Sequence, residues 1–241
     1  MIDENVLIKR LNDKYASLIR FAGHSMVLDA SGTLFWPEFD LLIFSDLHFE
    51  KGSFLSQFAH PLPRLDTRTT LTSMQKAISI YQAQHVVCLG DSFHDGNAVS
   101  RMEPDNIACI NRMVKETTLW QWVLGNHDPQ IPPEIAGHSI PFLCVSNVLL
   151  VHEPEDIQQD SEQFSAIDAQ IIGHFHPKVR TKQLSQTMTG KCFVQGKYKL
   201  LMPAFGQYTG GLWASDEVIV ALVSNKARYH MMYSNKLYSL K

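Results

Sequence analysis

Five short apolar runs along the chain each end in polar residues able to carry chemistry. Leu41-Leu-Ile-Phe-Ser45 runs into Asp46, and Val86-Val-Cys-Leu89 into Gly90-Asp91. Trp120 to Leu124 leads to Gly125-Asn126-His127-Asp128, Val148-Leu-Leu-Val151 to His152, and Ile171-Ile172 to Gly173-His174-Phe175-His176. Uninterrupted apolar runs of this length predict strands covered on both faces. Between them the period lengthens. Leu71, Met74, Ile78 and Tyr81 share one helical face after Arg68. Ile107, Ile110 and Val114 do the same after Pro104, a residue suited to a first helical turn. Strands alternating with helices predict an α/β fold, whose ligands bind beyond the carboxyl ends of the strands. Every polar group named above falls there.

The two ends of the chain have a different rhythm. Ser25 to Trp36 reads as a hairpin turning around Ala30-Ser-Gly32, and Lys191 to Met202 as another turning at Gln195-Gly-Lys197. Val218 to Tyr233 is expected to form a third, turning near Ser224-Asn225. Residues 1–20 fit either a surface helix or a loosely held arm. With no repeat, linker or low-complexity stretch, one domain covering 1–241 is expected.

Composition narrows the class only a little. The 241 residues are 45% hydrophobic and 19% charged, which is ordinary for a globular protein. A net charge of −3 gives no bulk attraction to nucleic acid or to an acidic membrane surface, so such a partner needs a local patch. The four cysteines, Cys88, Cys109, Cys144 and Cys192, are scattered and form no CxxC pair, so buried free thiols are expected. The most apolar window, Phe142 to Val151, is about half the length of a membrane span. No basic stretch followed by an apolar one opens the chain. The expectation is a cytoplasmic protein with no membrane partner.

The polar groups are those of a metal site. Asp46-x-His48 can aim two ligands at one ion, and Asp91 has two oxygens with which to bridge two. Asn126 offers an amide oxygen, while His152, His174 and His176 offer imidazole nitrogens. Nitrogen and oxygen donors without thiolate favour Mn²⁺, Fe or Zn²⁺, of which Mn²⁺ is the expected pair of ions. Each piece alone is common. The five pieces in this order, each after a strand, are not.

Asp-x-His, Gly-Asp, Gly-Asn-His-Asp, a further His and Gly-His-x-His resemble the motif set of the calcineurin-like metallophosphoesterases. The resemblance implies a four-layer α/β/β/α sandwich of two mixed sheets. It also implies two ligand sets, Asp46, His48, Asp91 and His176 for one ion, and Asp91, Asn126, His152 and His174 for the other. Val151 stands where many members have Gly, which affects loop geometry rather than the ligand that follows. The expected chemistry is hydrolysis of a phosphoester by a hydroxide bridging two divalent ions. His127 is expected to stabilise the phosphoryl group or protonate the leaving oxygen, with Asp128 orienting it.

A narrower set of segments is similar to the bacterial ligase-associated DNA-damage-response metallophosphoesterases, the PdeM subgroup. These are Asp46-Leu-His-Phe-Glu-Lys-Gly52, Leu62-Pro-Arg-Leu-Asp-Thr-Arg68, Gly90-Asp-Ser-Phe-His-Asp95, Gly125-Asn-His-Asp-Pro129, His152-Glu-Pro154, Gly173-His-Phe-His-Pro177 and Leu201-Met-Pro-Ala-Phe-Gly-Gln-Tyr-Thr-Gly-Gly211, of which the Glu-Lys-Gly, His-Glu-Pro and Pro-Ala-Phe-Gly pieces mark the subgroup. That similarity implies a nuclease or phosphodiesterase associated with a DNA ligase or helicase repair system. Arg64, Arg68, His94 and Tyr208 are candidate substrate contacts. Glu50, Lys51 and Asp95 can touch substrate, support a ligand or simply face solvent. Six basic residues, Lys178, Arg180, Lys182, Lys191, Lys197 and Lys199, follow the last histidine, and no acidic residue separates His176 from Asp216. This run fits a solvated strand face or a path for a phosphate backbone. The alternatives to DNA are a hydrolase of small phosphoesters, such as cyclic nucleotides or phosphomonoesters, and a non-catalytic protein-binding scaffold.

Overall fold

The apolar runs do become strands, and the alternation within each decides which layer every side chain enters. The computed structural model describes residues 2–58, 65–156, 164–183, 186–224 and 226–240. Helix α1 (Glu4–Asn12) precedes an antiparallel meander of β1 (Ala16–Phe21), β2 (His24–Asp29) and β3 (Leu34–Trp36), which leads into β4 (Leu41–Ser45). After β4 the chain crosses through α2 (Lys51–Leu55) and α3 (Asp66–Tyr81) to β5 (His85–Leu89). It crosses again through α4 (Ala98–Arg101) and α5 (Pro104–Glu116) to β6 (Leu119–Val123), and ends this half at β7 (His138–Ile140). The seven strands form one sheet in sequence order, with β4 to β7 parallel.

The second half adds β8 (Leu143–Val145), β9 (Val148–Val151), β10 (Ala169–Ile172), β11 (Lys178–Gln183), β12 (Gln186–Gln195) and β13 (Lys199–Leu201). After α6 (Glu217–Val223) come β14 (Arg228–Tyr233) and β15 (Lys236–Leu240). These strands form a second sheet ordered β15-β14-β12-β13-β10-β9-β8, with β11 paired to β12. Strands β9, β10 and β13 are parallel, and the other pairings are antiparallel. Both sheets are therefore mixed.

Strand alternation sorts the apolar side chains into three cores. From β4, Leu42 and Phe44 join Leu71, Met74 and Tyr81 of α3 and Ile110 of α5. Leu41 and Ile43 point the other way and meet Val148, Leu150, Ile171 and Leu200 of the second sheet. On the far side of that sheet, Leu149, Val151, Cys192 and Val194 pack with Ile219 and Val223 of α6. The order is helix, sheet, sheet, helix, the four-layer α/β/β/α sandwich. Fully burying one such aliphatic side chain contributes roughly 1.5–3 kcal/mol, so the inner core alone commits the two sheets to each other.

The hairpins at Ser25–Trp36 and Lys191–Met202 form, with Leu28 opposite Leu34 and Val194 opposite Leu201. The third does not. Val218 to Val223 lies in α6, whose N-cap Asp216 accepts from the Val218 N–H at 3.1 Å. Ile219 and Val223, four apart, enter the outer core, so the valine-rich run is a buried helix face. Strand β14 pairs instead with β12 and β15, and the expected turn residue Asn225 lies outside the described residues. All four cysteines are free, but only Cys88 and Cys192 are buried, while Cys144 is exposed. No helix of the described residues is long and apolar enough to cross a membrane.

Residues 2–20 are neither a surface helix alone nor a loose arm. Strand β1 is the edge of the first sheet, and the Leu237 N–H donates to the Lys14 carbonyl. Arg10 of α1 donates to the buried Asp29 carboxylate at 2.5 Å, and the Tyr81 hydroxyl donates to the same oxygen at 2.6 Å. Arg10→Ala is expected to lower stability by about 1–3 kcal/mol, because Asp29 loses a charged donor while remaining buried. A urea-unfolding midpoint equal to wild type would show that α1 is not pinned by this contact.

Candidate active site

The carboxyl ends of β4, β5, β9 and β10 open at one end of the sandwich, and the chain turns sharply at each. Asp46, His48, Asp91, His174 and His176 all have left-handed backbone conformations, with φ between 46 and 68°. Non-glycine residues adopt this region at a cost of order 1–3 kcal/mol each, and such strain gathers at functional sites. Two glycines let the turns close. A Cβ on Gly90 would strike the His152 ring, and one on Gly125 would strike the Asp91 backbone and carboxylate.

The turns bring together every histidine and aspartate expected as a ligand. One atom from each of Asp46, His48 and His176 lies within 4.8 Å of the others, and the same holds for Asp91, His152 and His174. In the first group His176 Nε2 is 3.0 Å from Asp46 Oδ1 and 3.3 Å from His48 Nε2. In the second, His152 Nε2 is 3.3 Å from Asp91 Oδ1 and 2.9 Å from Asn126 Oδ1. Asp91 stands between them. Its Oδ1 faces His152, while its Oδ2 lies 3.8 Å from His48 Nε2. Val151 points into the outer core, so its side chain leaves the cleft open.

Burial sets the electrostatics. Asp46 and Asp91 are almost wholly buried. Burial raises both carboxyls, but nearby histidines outweigh it and hold them below the usual range: His176 and His152 for Asp46, His152 and the His127 N–H for Asp91. For His152, burial works downward, yet the two carboxylates raise it to about 9. His48 is depressed to about 3, chiefly by burial, and its neutral ring has a free nitrogen lone pair. The His152 Nδ1 is 3.3 Å from the Leu89 carbonyl and donates there, which directs Nε2 at Asp91 and Asn126. Oxygen anions and imidazole nitrogens in this arrangement suit divalent cations, which would take the place of the protons now shared with the carboxylates.

His127 stands at the mouth, its side chain 40% exposed. Its Nδ1 donates to the His94 carbonyl at 2.8 Å, so Nε2 is the atom turned outward over Asp91, 4.0 Å away. Asp128 does not orient this ring, contrary to the sequence expectation. Its carboxylate accepts from the backbone N–H groups of Asp91, Ser92, Phe93 and Gly125 at 2.7–3.1 Å. Burial and the Asp91 charge push Asp128 up to about 7 against these donors. The ionised form is the one that satisfies all four. Asp128 thus fixes two ligand-bearing loops to each other.

The candidate substrate contacts divide. His94 is buried in the site, its Nδ1 3.4 Å from His48 Nδ1 and its ring stacked on His127. Tyr208 is 45% exposed on the loop whose Gly206 N–H donates to the Asp46 carbonyl. Arg68 is exposed on α3 and makes no hydrogen bond or ion pair with the clustered groups. Arg64 lies outside the described residues. Glu50 is buried against Thr67 and Asp95 is paired with Arg101, so both support loops. Lys51 is lowered by burial, with Asp91 and Asp46 opposing, which places its charge near the carboxylates. Two residues take places at the site that the sequence did not assign them. Glu153 lies 3.4 Å from His174 Nδ1. Lys191 is turned inward, donating to the Ala204 and Gly206 carbonyls at 2.8 Å, and burial lowers its ammonium to about 8. A lysine within a basic run carries no mark of such a position.

This fold and site define a phosphoester hydrolase with divalent metals. The family model for calcineurin-like phosphoesterases matches residues 39–168, and the chain belongs to that family. Among solved structures, the Pseudomonas putida nuclease MPE superimposes with a TM-score of 0.69 at 21% identity, covering 93% of this chain and 100% of that one. The phosphoesterase Yfce from E. coli gives a TM-score of 0.42 at 15% identity, over 83% and 97% of the two chains. No curated protein matches the sequence.

Asp128→Asn would set an amide N–H₂ against two of the four backbone donors. Each buried donor left unpaired costs about 1–3 kcal/mol. The variant should therefore lose both stability and bound metal, measured by thermal unfolding and elemental analysis. Normal metal content would show that Asp128 does not hold the ligand loops.

Proposed function

We propose that this protein is a dinuclear-metal phosphodiesterase acting on DNA, in a repair context that includes a ligase or helicase system. The observation that carries the dinuclear reading is Asp91, whose two oxygens face two separate donor groups. Asp46, His48, Asp91 and His176 would hold one cation, and Asp91, Asn126, His152 and His174 the other. Mn²⁺ suits this set of oxygen and nitrogen donors, and Fe or Zn²⁺ are compatible with it. Bound there, the cations supply Lewis acidity toward phosphate oxygens and lower the pKa of a water nucleophile.

The chain's own groups do the rest. The buried carboxylates and imidazoles exclude bulk water from the base of the cleft. His127 presents Nε2 at its rim, where it would stabilise the phosphoryl group or donate a proton to the leaving oxygen. The His94 carbonyl and ring hold that orientation. The exposure of His127 at the rim supports a phosphodiester, whose second substituent would lie toward solvent. The subgroup-like segments and the fold shared with a nuclease support DNA in particular. A complete donor set weighs against a non-catalytic scaffold.

Loaded with Mn²⁺, the protein should hydrolyse bis-p-nitrophenyl phosphate in preference to p-nitrophenyl phosphate, and cleave DNA, all in a chelator-sensitive way. Dominant monoesterase activity, or a preference for 2′,3′-cyclic nucleotides over DNA, would redirect the reading to small phosphoesters. His127→Ala should lower kcat by about 10²–10⁴-fold at unchanged metal content. Unchanged kcat would remove His127 from the chemistry.

A further inference from the structure

Lys178 and Lys191 face each other across β11 and β12, so both lie on one face of that hairpin. Lys191 reaches the Ala204 and Gly206 carbonyls, and the Gly206 N–H donates to the Asp46 carbonyl. That face of the hairpin therefore continues directly from the metal cleft. Strand alternation puts Arg180 and Lys182 on it too, with Lys178 and Arg180 about 7 Å apart along the strand.

Against these residues stands an aromatic ring that the basic run alone did not point to. Trp213 is held beside β11 by two backbone bonds, Lys178 N–H to the Leu212 carbonyl at 3.0 Å and Ala214 N–H to the Lys178 carbonyl at 2.8 Å. Two residues earlier, Gly211 lies against the His176 carbonyl so closely that a Cβ would not fit. Trp213 is 36% exposed. Lys178 Nζ sits 4.7 Å from the centre of its ring system and Arg180 Cζ 4.8 Å. Neither cation pairs with a carboxylate among the described residues.

A part-exposed indole with two cations over its ring, neither paired with a carboxylate among the described residues, has the chemistry of a nucleotide-binding platform, the uncovered part of the ring being the stacking surface. The cations attract a phosphate, and the indole offers its surface to a base. A base in a duplex is already stacked on both faces, so such a ring selects an unpaired one. We propose that Trp213, Lys178 and Arg180 bind a nucleotide of an unpaired DNA segment, close to the phosphate held in the cleft. This rests on the phosphodiesterase reading above and specifies which part of the substrate lies beyond the metals.

Two readouts separate the proposal from that reading. Binding of a short fluorescein-labelled oligothymidylate, followed by anisotropy, reports the platform. Hydrolysis of bis-p-nitrophenyl phosphate, a diester too small to span cleft and platform, reports the metal centre. Trp213→Ala should weaken oligonucleotide binding by roughly 10-fold or more, with Trp213→Phe retaining most of it. Lys178→Ala with Arg180→Ala should reduce the salt dependence of binding, the slope of log K against log salt falling by about 1–1.5. Small-diester turnover should stay at the wild-type level in all three. Oligonucleotide affinity unchanged in Trp213→Ala would overturn the proposal. So would an equal loss of small-diester turnover, or a wild-type protein that binds no oligonucleotide. Absence of small-diester turnover with platform-dependent binding would instead overturn the phosphodiesterase reading and leave the platform standing.

Discussion

Two carboxylates buried side by side govern the molecule. Asp46 and Asp91 follow adjacent parallel strands whose last residues, Ser45 and Leu89, are in register. Both are held in the charged form with almost no access to water. Like charges in such a place are untenable without positive charge between them. His152, raised to about 9, supplies part of it within hydrogen-bond reach of Asp91, and the His176 ring lies 3.0 Å from Asp46. The family's divalent metals would supply it more fully, with the imidazoles and carboxylates of the two groups holding them.

Holding this arrangement requires a scaffold that tolerates strain. Five non-glycine residues of the cleft sit in left-handed conformations, together costing several kcal/mol or more in a fold whose net stability is only about 5–15 kcal/mol. The three apolar layers resist that cost. Asp128 resists it locally, its two oxygens taking four backbone N–H groups from the Asp91 and Gly125 turns. The second sheet contributes by position. Its parallel strands β9 and β10 end beside those of the first, so histidines from residues 152–176 meet aspartates from residues 46–91.

Much of this was legible in the sequence because strand ends in α/β sheets are both apolar-run boundaries and ligand positions. The runs at Leu41–Ser45 and Val148–Val151 are strands to the residue, and the seven expected ligands converge. What was not legible depends on side-chain direction or on neighbours distant in sequence. Asp128 looks like a partner for His127 until its carboxylate is seen to point back at Asp91. Lys191 looks like surface charge until it turns under the Ala204–Gly206 loop. The valines before Ser224 read as a strand because a seven-residue buried helix has too few turns to reveal its period. Trp213 attracted no attention because its partners lie more than thirty residues earlier, and only the β11 ladder joins them.

If two cations share Asp91, as proposed, the metal stoichiometry of the protein will show it. Protein purified with Mn²⁺ and exhaustively dialysed should hold two equivalents per chain by elemental mass spectrometry. A protein carrying Asp91→Ala should lose both, because one carboxylate serves both donor groups. A single equivalent in the wild type, or full occupancy in Asp91→Ala, would show that Asp91 does not bridge two cations.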